Sequence, residues 1–265
     1  MNLRVQNRAA YVFSGGRAVD AKKMTVVFIH GAAMDHTVWI LPARYFIRHG
    51  FNVLAVDLPG HGRSGGEALA DITAMADWIA ELLGAAGVGE AALVGHSMGS
   101  LAALETAARH PQLARSLTLL GTACPMPVAG QLLAAARDNR HDAIDMLTLW
   151  GYSRRAQQGG SETPGMWMVA GTMRLLERAA PGVLFADLNA CNEYRHGLAS
   201  AAQVQCPTLL ILGRDDVMTP PRRAMDVQRA IPDARMTVLE NCGHIMTAEQ
   251  PDRVLDALAA NVIPQ

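Results

Sequence analysis

The chain is short of charge, of aromatic rings and of long apolar runs, and each shortage removes a class of function. Only 18% of its 265 residues are charged and 5% are aromatic, against 50% hydrophobic. A chain this apolar cannot stay expanded, so general disorder is excluded and a sizeable core is expected. Its 23 basic residues are balanced by 24 acidic ones, giving a formal charge of −1 and a pI near 6.7. No basic stripe is left to neutralise phosphates, so nucleic acid is not an expected partner. No uninterrupted apolar run approaches the roughly 20 residues of a spanning helix, and no membrane partner is expected. The stretch Met1 to Arg17 lacks the apolar core of a secretory signal.

Cysteine is equally sparse. Cys124, Cys191, Cys206 and Cys242 are scattered, with no C-x-x-C pair, and read as reduced thiols of a cytoplasmic protein. The nine histidines form no H-E-x-x-H, and no Cys/His group has zinc spacing. No metal and no cofactor is therefore expected. Gly60-His61-Gly62-Arg63-Ser64 superficially resembles a phosphate loop but lacks the G-K-[ST] ending. Repeats of roughly 20–50 residues are absent.

What is present is alternation. Short apolar runs read as buried strands at Thr25–Ile29, Asn52–Asp57, Ala91–Val94, Leu117–Leu120, Thr208–Leu212 and Arg235–Leu239. Between them the pattern predicts helices at Trp39–His49, Ile72–Ala86, Met98–Arg109, Arg222–Ala230 and Gln250–Ala260. Strand alternating with helix argues for an α/β fold, with a mostly parallel central sheet flanked by helices. Residues 122–203 break the pattern. They hold no convincing strand but four helix-like segments near Val128–Arg137, Ala143–Trp150, Met166–Arg178 and Val183–Tyr194, punctuated by Pro164-Gly165 and Pro181-Gly182. An all-helical insertion at 122–203, splitting a core of 1–121 and 204–265, is expected. Its aromatic and Met residues, Trp150 and Trp167 among them, serve as packing for the insertion and as candidate walls of an adaptable apolar pocket. Ser153–Thr163 is polar and reads as a mobile loop.

The sharpest motif is Gly95-His96-Ser97-Met98-Gly99, placed between a strand and a helix. A turn that tight needs small residues two before and two after the serine. It exposes the hydroxyl at the strand end and sets the next N–H at a helix N-terminus, where negative charge is stabilised. A serine hydroxyl is a weak nucleophile and needs a base, which in turn needs an orienting group. His244, in a Gly-flanked loop after the last strand, suits the base. Asp216, just past Thr208–Leu212, suits the orienter, with Asp215 as its rival.

Ordered with that elbow are His30-Gly31, Asp57-Leu58-Pro59-Gly60-His61-Gly62-Arg63-Ser64, Gly213-Arg214-Asp215-Asp216-Val217-Met218-Thr219-Pro220 and Asn241-Cys242-Gly243-His244. Together they resemble the α/β-hydrolases that carry a helical cap, over nearly the whole chain. The resemblance implies a Ser97, Asp216, His244 triad in that chain order. It favours Asp216 over Asp215, because the acid typically follows Gly213 by three and precedes Pro220 by four. The variant with its acid after the preceding strand is unavailable, since Gly121-Thr122-Ala123-Cys124 holds no carboxylate. It implies oxyanion donors at Met98 and Ala32, with Ala33 as the alternative to Ala32. His30, His61, Arg63 and Asp57 are expected to organise loops, and His96 to pack beside the nucleophile. His36 and Trp39 are candidate substrate contacts. The expected substrate is a small carboxylic ester or lactone. Cleavage of a carbon–carbon bond in a ring-cleavage dienoate, cofactor-free perhydrolysis and ligand reception on a hydrolase fold are the other readings. The first is weakened because such relatives often carry Asn at the position of His96. Chemistry that needs an Asp nucleophile is excluded by Ser97.

Overall fold

A computed structural model describes residues 1–161, 165 and 167–263. The chain opens with the strands β1 (Asn2–Val5) and β2 (Arg8–Phe13), then runs β3 (Thr25–Ile29), α1 (Ile40–Arg48), β4 (Asn52–Val56), α2 (Ile72–Ala85), β5 (Ala91–His96), α3 (Met98–Arg109) and β6 (Ala114–Leu120). Helices alone follow: α4 (Gly130–Arg137), α5 (Asp142–Gly151), α6 (Arg154–Gln157), α7 (Met168–Leu176), α8 (Val183–Glu193) and α9 (Gly197–Ala201). The chain then returns to the sheet through β7 (Thr208–Gly213), α10 (Pro221–Ala230), β8 (Arg235–Leu239), α11 (Met246–Glu249) and α12 (Pro251–Val262).

The eight strands form one sheet in the order β1-β2-β4-β3-β5-β6-β7-β8. The pairs β1·β2 and β2·β4 are antiparallel and all later pairs are parallel. Strand alternation divides the core. Val27, Ile29, Leu93 and Leu117 face α2, α3 and α10 on one side, while Val26, Phe28, Ala92 and Ile211 face α1 and α12 on the other. Because both faces are covered, strands such as Thr25–Ile29 are buried at every position, which is why they read as continuous apolar runs. The chain leaves β3 for β4 on one side and returns to β5 on the other. That reversal opens a crevice at the carboxyl ends of β3 and β5.

The expected strands are all present. The N-terminal hairpin was not foreseen, because Asn2–Val5 is short and its outward positions are polar. Its signal is the two-residue turn Gln6-Asn7, both at positive φ (49° and 61°), a geometry hairpins favour. The α9 turn was also missed. Within Ser153–Thr163 the expected loop is in part a helical turn, α6, because the Ser153 hydroxyl accepts the Ala156 N–H at 3.2 Å. Glu162 and Thr163 lie outside the described residues, as do Pro164 and Met166, so the described part of the expected Met166 helix begins at Met168. No helix among the described residues is long and apolar enough to cross a membrane.

Candidate active site

The loops at the carboxyl ends of the strands converge on Ser97. Its backbone sits at φ 54°, ψ −119°, a strained conformation for a residue with a side chain. Packing holds it there. A Cβ on Gly95 would fall 2.0 Å from the Gly99 carbonyl oxygen, and one on Gly99 would fall 2.4 Å from the carbonyl oxygens of Ile29 and His30. The Ser97 N–H is tied to the Leu120 carbonyl at 2.9 Å. Gly31 also brings the next loop close, since a Cβ there would lie 3.3 Å from Ser97 Cβ.

His244 is buried in the loop between β8 and α11. Its Nδ1 lies 2.7 Å from Asp216 Oδ2 and 3.0 Å from Thr219 Oγ1. A carboxylate only accepts, so Nδ1 carries the ring proton and Nε2 is left as the acceptor. That Nε2 is buried without a hydrogen-bond partner among the described residues. Asp216 is fixed in turn. Its Oδ1 accepts the N–H groups of Met218 and Thr219, each at 2.8 Å, and its Oδ2 accepts the Thr219 hydroxyl at 2.7 Å. Burial works to raise this carboxyl. The neighbouring His244, with hydrogen bonds from His244 and Thr219, outweighs it and holds the group down to about 2. Asp215, its rival, points to solvent. Thr219 was not foreseen, although T-P after D-D is the signal that could have marked it.

Ser97 and His244 line one cavity of about 500 Å³. Gly31 and Ala32 form part of its wall, with Leu132, Leu147, Trp150 and Leu188 from the insertion opposite. Among the described residues the wall is apolar apart from the two histidines, Ser97, two threonines and Arg223 on α10. Met98 begins α3, so its N–H has no partner within the helix. The Ala33 N–H is engaged by Asp187 Oδ2 at 2.7 Å, which removes Ala33 as the alternative to Ala32.

Two expected substrate contacts need correction. His36 and Trp39 do not line this cavity. They sit in a 3₁₀ turn capped by the Asp35 side chain. Asp57 Oδ1 accepts both the His36 N–H and Nδ1, at 2.7 and 2.8 Å, while Trp39 is fully buried against Phe28. Trp150 does reach the cavity wall. Trp167 does not: it is 74% exposed and lines a neighbouring space of about 360 Å³.

The loop-organising residues lie beneath. His30 Nδ1 donates to the Gly31 carbonyl at 2.8 Å, and its Nε2 accepts the Leu58 N–H at 3.1 Å. Burial pushes His30 down to about 4 and His96 down to about 3, so both stay neutral. His96 Nε2 donates to the His244 carbonyl at 2.9 Å. Asp35, His36 and Asp57 bring three ligand-type atoms within 4.8 Å of one another. Both carboxylates are already held by protein donors: Thr37 and Arg178 on Asp35, and His36 and Arg63 on Asp57.

Similar proteins frame this geometry. The family model described as "Alpha/beta hydrolase family" matches residues 26–257. The (E)-2-((N-methylformamido)methylene)succinate hydrolase of Acinetobacter baylyi is 26% identical over 96% of this chain and 94% of its own. The pimeloyl-[acyl-carrier protein] methyl ester esterase of Nitrosomonas europaea is 30% identical over 89% and 94%. Among solved structures, an N-acyl homoserine lactone degrading enzyme superposes with a TM-score of 0.84 at 21% identity, over 98% of this chain and 99% of that one. With the family model spanning residues 26–257, most of its length, the chain belongs to the alpha/beta hydrolase family.

Proposed function

We propose that the protein hydrolyses a small, largely apolar carboxylic ester or lactone by acyl transfer through Ser97. Ser97 Oγ attacks the carbonyl carbon while His244 Nε2 takes its proton. The oxyanion is held by the N–H groups of Ala32 and Met98, the latter at the positive end of α3. His244 then gives the proton to the leaving oxygen, and acyl-Ser97 remains. Water, deprotonated by His244, then attacks the acyl carbon; the bond to Ser97 Oγ breaks, His244 returns the proton to that oxygen, and the acid is released. Asp216 keeps Nδ1 protonated throughout and stabilises the imidazolium. The helical insertion acts as a cap whose apolar side chains exclude water and select the acyl group.

The observation that carries this reading is the unpartnered Nε2 of His244 in the same cavity as Ser97, with its tautomer set by Asp216. Arg223, a cation among the lining residues, gives the carbon–carbon reading a foothold, since a dienoate carries negative oxygens. The arginines of the insertion, from Arg137 to Arg195, do not line the cavity. The test compares kcat/KM for p-nitrophenyl acetate to hexanoate with that for a ring-cleavage dienoate, in the wild type and in Ser97→Ala. Esters are expected to win, and Ser97→Ala to lose on the order of 10⁶ in kcat. A dienoate preferred over every ester transfers the assignment to carbon–carbon cleavage, and activity surviving in Ser97→Ala removes the nucleophile.

A further inference from the structure

Asp187 lies on α8 of the insertion and is fully buried. Its Oδ2 accepts two hydrogen bonds, from the Ala33 N–H at 2.7 Å and from His61 Nε2 at 2.8 Å. The other nitrogen of that ring, His61 Nδ1, lies 2.9 Å from the Pro59 carbonyl oxygen. A carbonyl oxygen can only accept, and so can an ionised carboxylate. With Asp187 ionised, both nitrogens of His61 carry protons and the ring is an imidazolium. His30, whose ring centroid is 4.8 Å away, makes the contrast. One of its nitrogens donates and the other accepts a backbone N–H, so it is neutral.

The pair sits where it can act on the chemistry. Ala33 has a left-handed backbone, φ 55°, and the turn it belongs to is closed by the Met34 N–H on the Gly31 carbonyl at 3.2 Å. The Ala33 N–H is thereby committed to Asp187, while its neighbour Ala32 lines the cavity. One helical turn of α8 joins the two functions, for Leu188 and Cys191 line the cavity while Asp187 holds the loop.

We infer that Asp187 and His61 form a buried ion pair that positions the oxyanion loop, so that Ala32 presents its N–H only while α8 is docked. The inference rests on the acyl-transfer reading above. Asp187 and His61 are positioning residues, since neither touches the reacting atoms. A buried pair of this kind need not add stability, but breaking it leaves an uncompensated charge, which suits a role in specifying one loop geometry.

The test begins with the ring nitrogens. Long-range ¹H–¹⁵N spectra of the full chain at about pH 7 should show His61 as an imidazolium, and a neutral tautomer overturns the ion pair. Kinetics on p-nitrophenyl butyrate then separates positioning from bulk stability. Asp187→Ala should lower kcat about 100-fold with KM within about three-fold, in line with the loss of one oxyanion donor. Asp187→Asn keeps an acceptor oxygen for Ala33 and should recover part of that loss. Tyr194→Phe removes an equally buried bond from the insertion to α3, the Tyr194 hydroxyl on Glu105, and should lower the melting temperature while leaving kcat within about two-fold. If Asp187→Ala and Asp187→Asn lower kcat no more than Tyr194→Phe does, the role is structural and the inference fails. Should either Asp187 variant not fold, the spectrum of the wild type still decides the ion pair, and His61→Gln, expected to lower kcat at least ten-fold, decides the positioning. Failure of the acyl-transfer reading would show separately, as Ser97→Ala retaining activity.

Discussion

Around Ser97 the sheet-edge loops are held mainly by closely packed backbone, whereas the helical insertion opposite is held by apolar packing, a few buried side-chain contacts and two backbone hydrogen bonds, from the His244 and Ile245 N–H groups to the Gly151 carbonyl. Gly95, Gly99 and Gly31 bring β3, β5 and α3 within van der Waals distance of one another. Gly121 does the same for the base loop, since a Cβ there would lie 2.9 Å from the His244 ring. Besides those two backbone bonds, the insertion meets the edge through Asp187 on Ala33 and His61, and through Glu249, whose carboxylate accepts the Ser153 hydroxyl at 2.6 Å and the Gly243 N–H at 2.9 Å. Burial raises the Glu249 carboxyl. Contacts of the first kind constrain residue type locally and tolerate almost nothing. Those of the second kind depend on partners about a hundred positions away, and each allows several solutions.

The harshest way to break the edge is Gly95→Ala. The added methyl cannot fit 2.0 Å from a carbonyl oxygen, so the elbow would have to open and α3 to shift. Little folded protein is expected, by circular dichroism and by soluble yield. A well-folded, active Gly95→Ala would mean that the turn has slack, and the contrast between the two regions would collapse.

Next in size is the acid. Asp216→Asn keeps the shape of the side chain but presents an amide to Nδ1 and fixes the wrong tautomer, which should lower kcat by around 10⁴ by analogy with serine-protease triads. Asp215→Asn, on an exposed neighbour, should change kcat less than about three-fold. The reverse ranking would mean that the base is oriented from another direction than the one the Asp216 contacts describe.

The same comparison explains how much could be read in advance. The elbow, the strand runs and the Gly213–Pro220 loop were legible because their constraints are local: a small residue where backbones touch, an apolar run where both faces are buried. Thr219 is half-legible from its place beside Pro220. Asp187 and Glu249 were not legible at all, since a carboxylate on a helix is an ordinary surface residue until the fold shows what it reaches. His36 and Trp39 misled for the converse reason. They follow the loop that carries Ala32, but the turn capped by Asp35 directs their side chains towards the sheet and away from the cavity.

A smaller effect separates the regions by pH. Unfolded histidine titrates near 6.5, while burial holds His96 near about 3 and His30 near about 4 in the folded protein. Below about pH 6.5 the unfolded chain takes up protons that the folded protein refuses, so stability falls as pH drops and levels off near the folded values. Groups raised in the folded protein, Glu249 and His141, offset part of this fall, because they bind protons there at higher pH than in the unfolded chain. Asp216, held down to about 2, adds stability that is lost only as pH falls from about 4 towards about 2. His61, raised mainly by Asp187 against its own burial, keeps its full contribution below about pH 6.5 and loses it on the alkaline side. The urea midpoint should therefore fall between about pH 7 and about pH 5, and His96→Asn should flatten that fall. An unchanged slope in the variant would mean that His96 is not the group that refuses the proton.

The smallest effect expected lies in the insertion, where the two tryptophans part company. Trp150, on α5, is partly buried in the cavity wall, so Trp150→Ala removes a large ring and leaves room. Longer acyl chains should gain relative to acetate by several-fold, within the roughly 10-fold that a methylene-sized change in an apolar pocket can produce. Trp167 is 74% exposed and borders only the neighbouring space, so Trp167→Ala gives up little buried area and touches no group near Ser97. Its kcat/KM for p-nitrophenyl acetate should stay within about two-fold of wild type, and its chain-length profile should not move. Measuring both profiles with the same ester series makes each variant the control for the other. If Trp167→Ala shifts the profile and Trp150→Ala does not, the acyl chain runs outward past α7 rather than along α5, and the two spaces exchange roles.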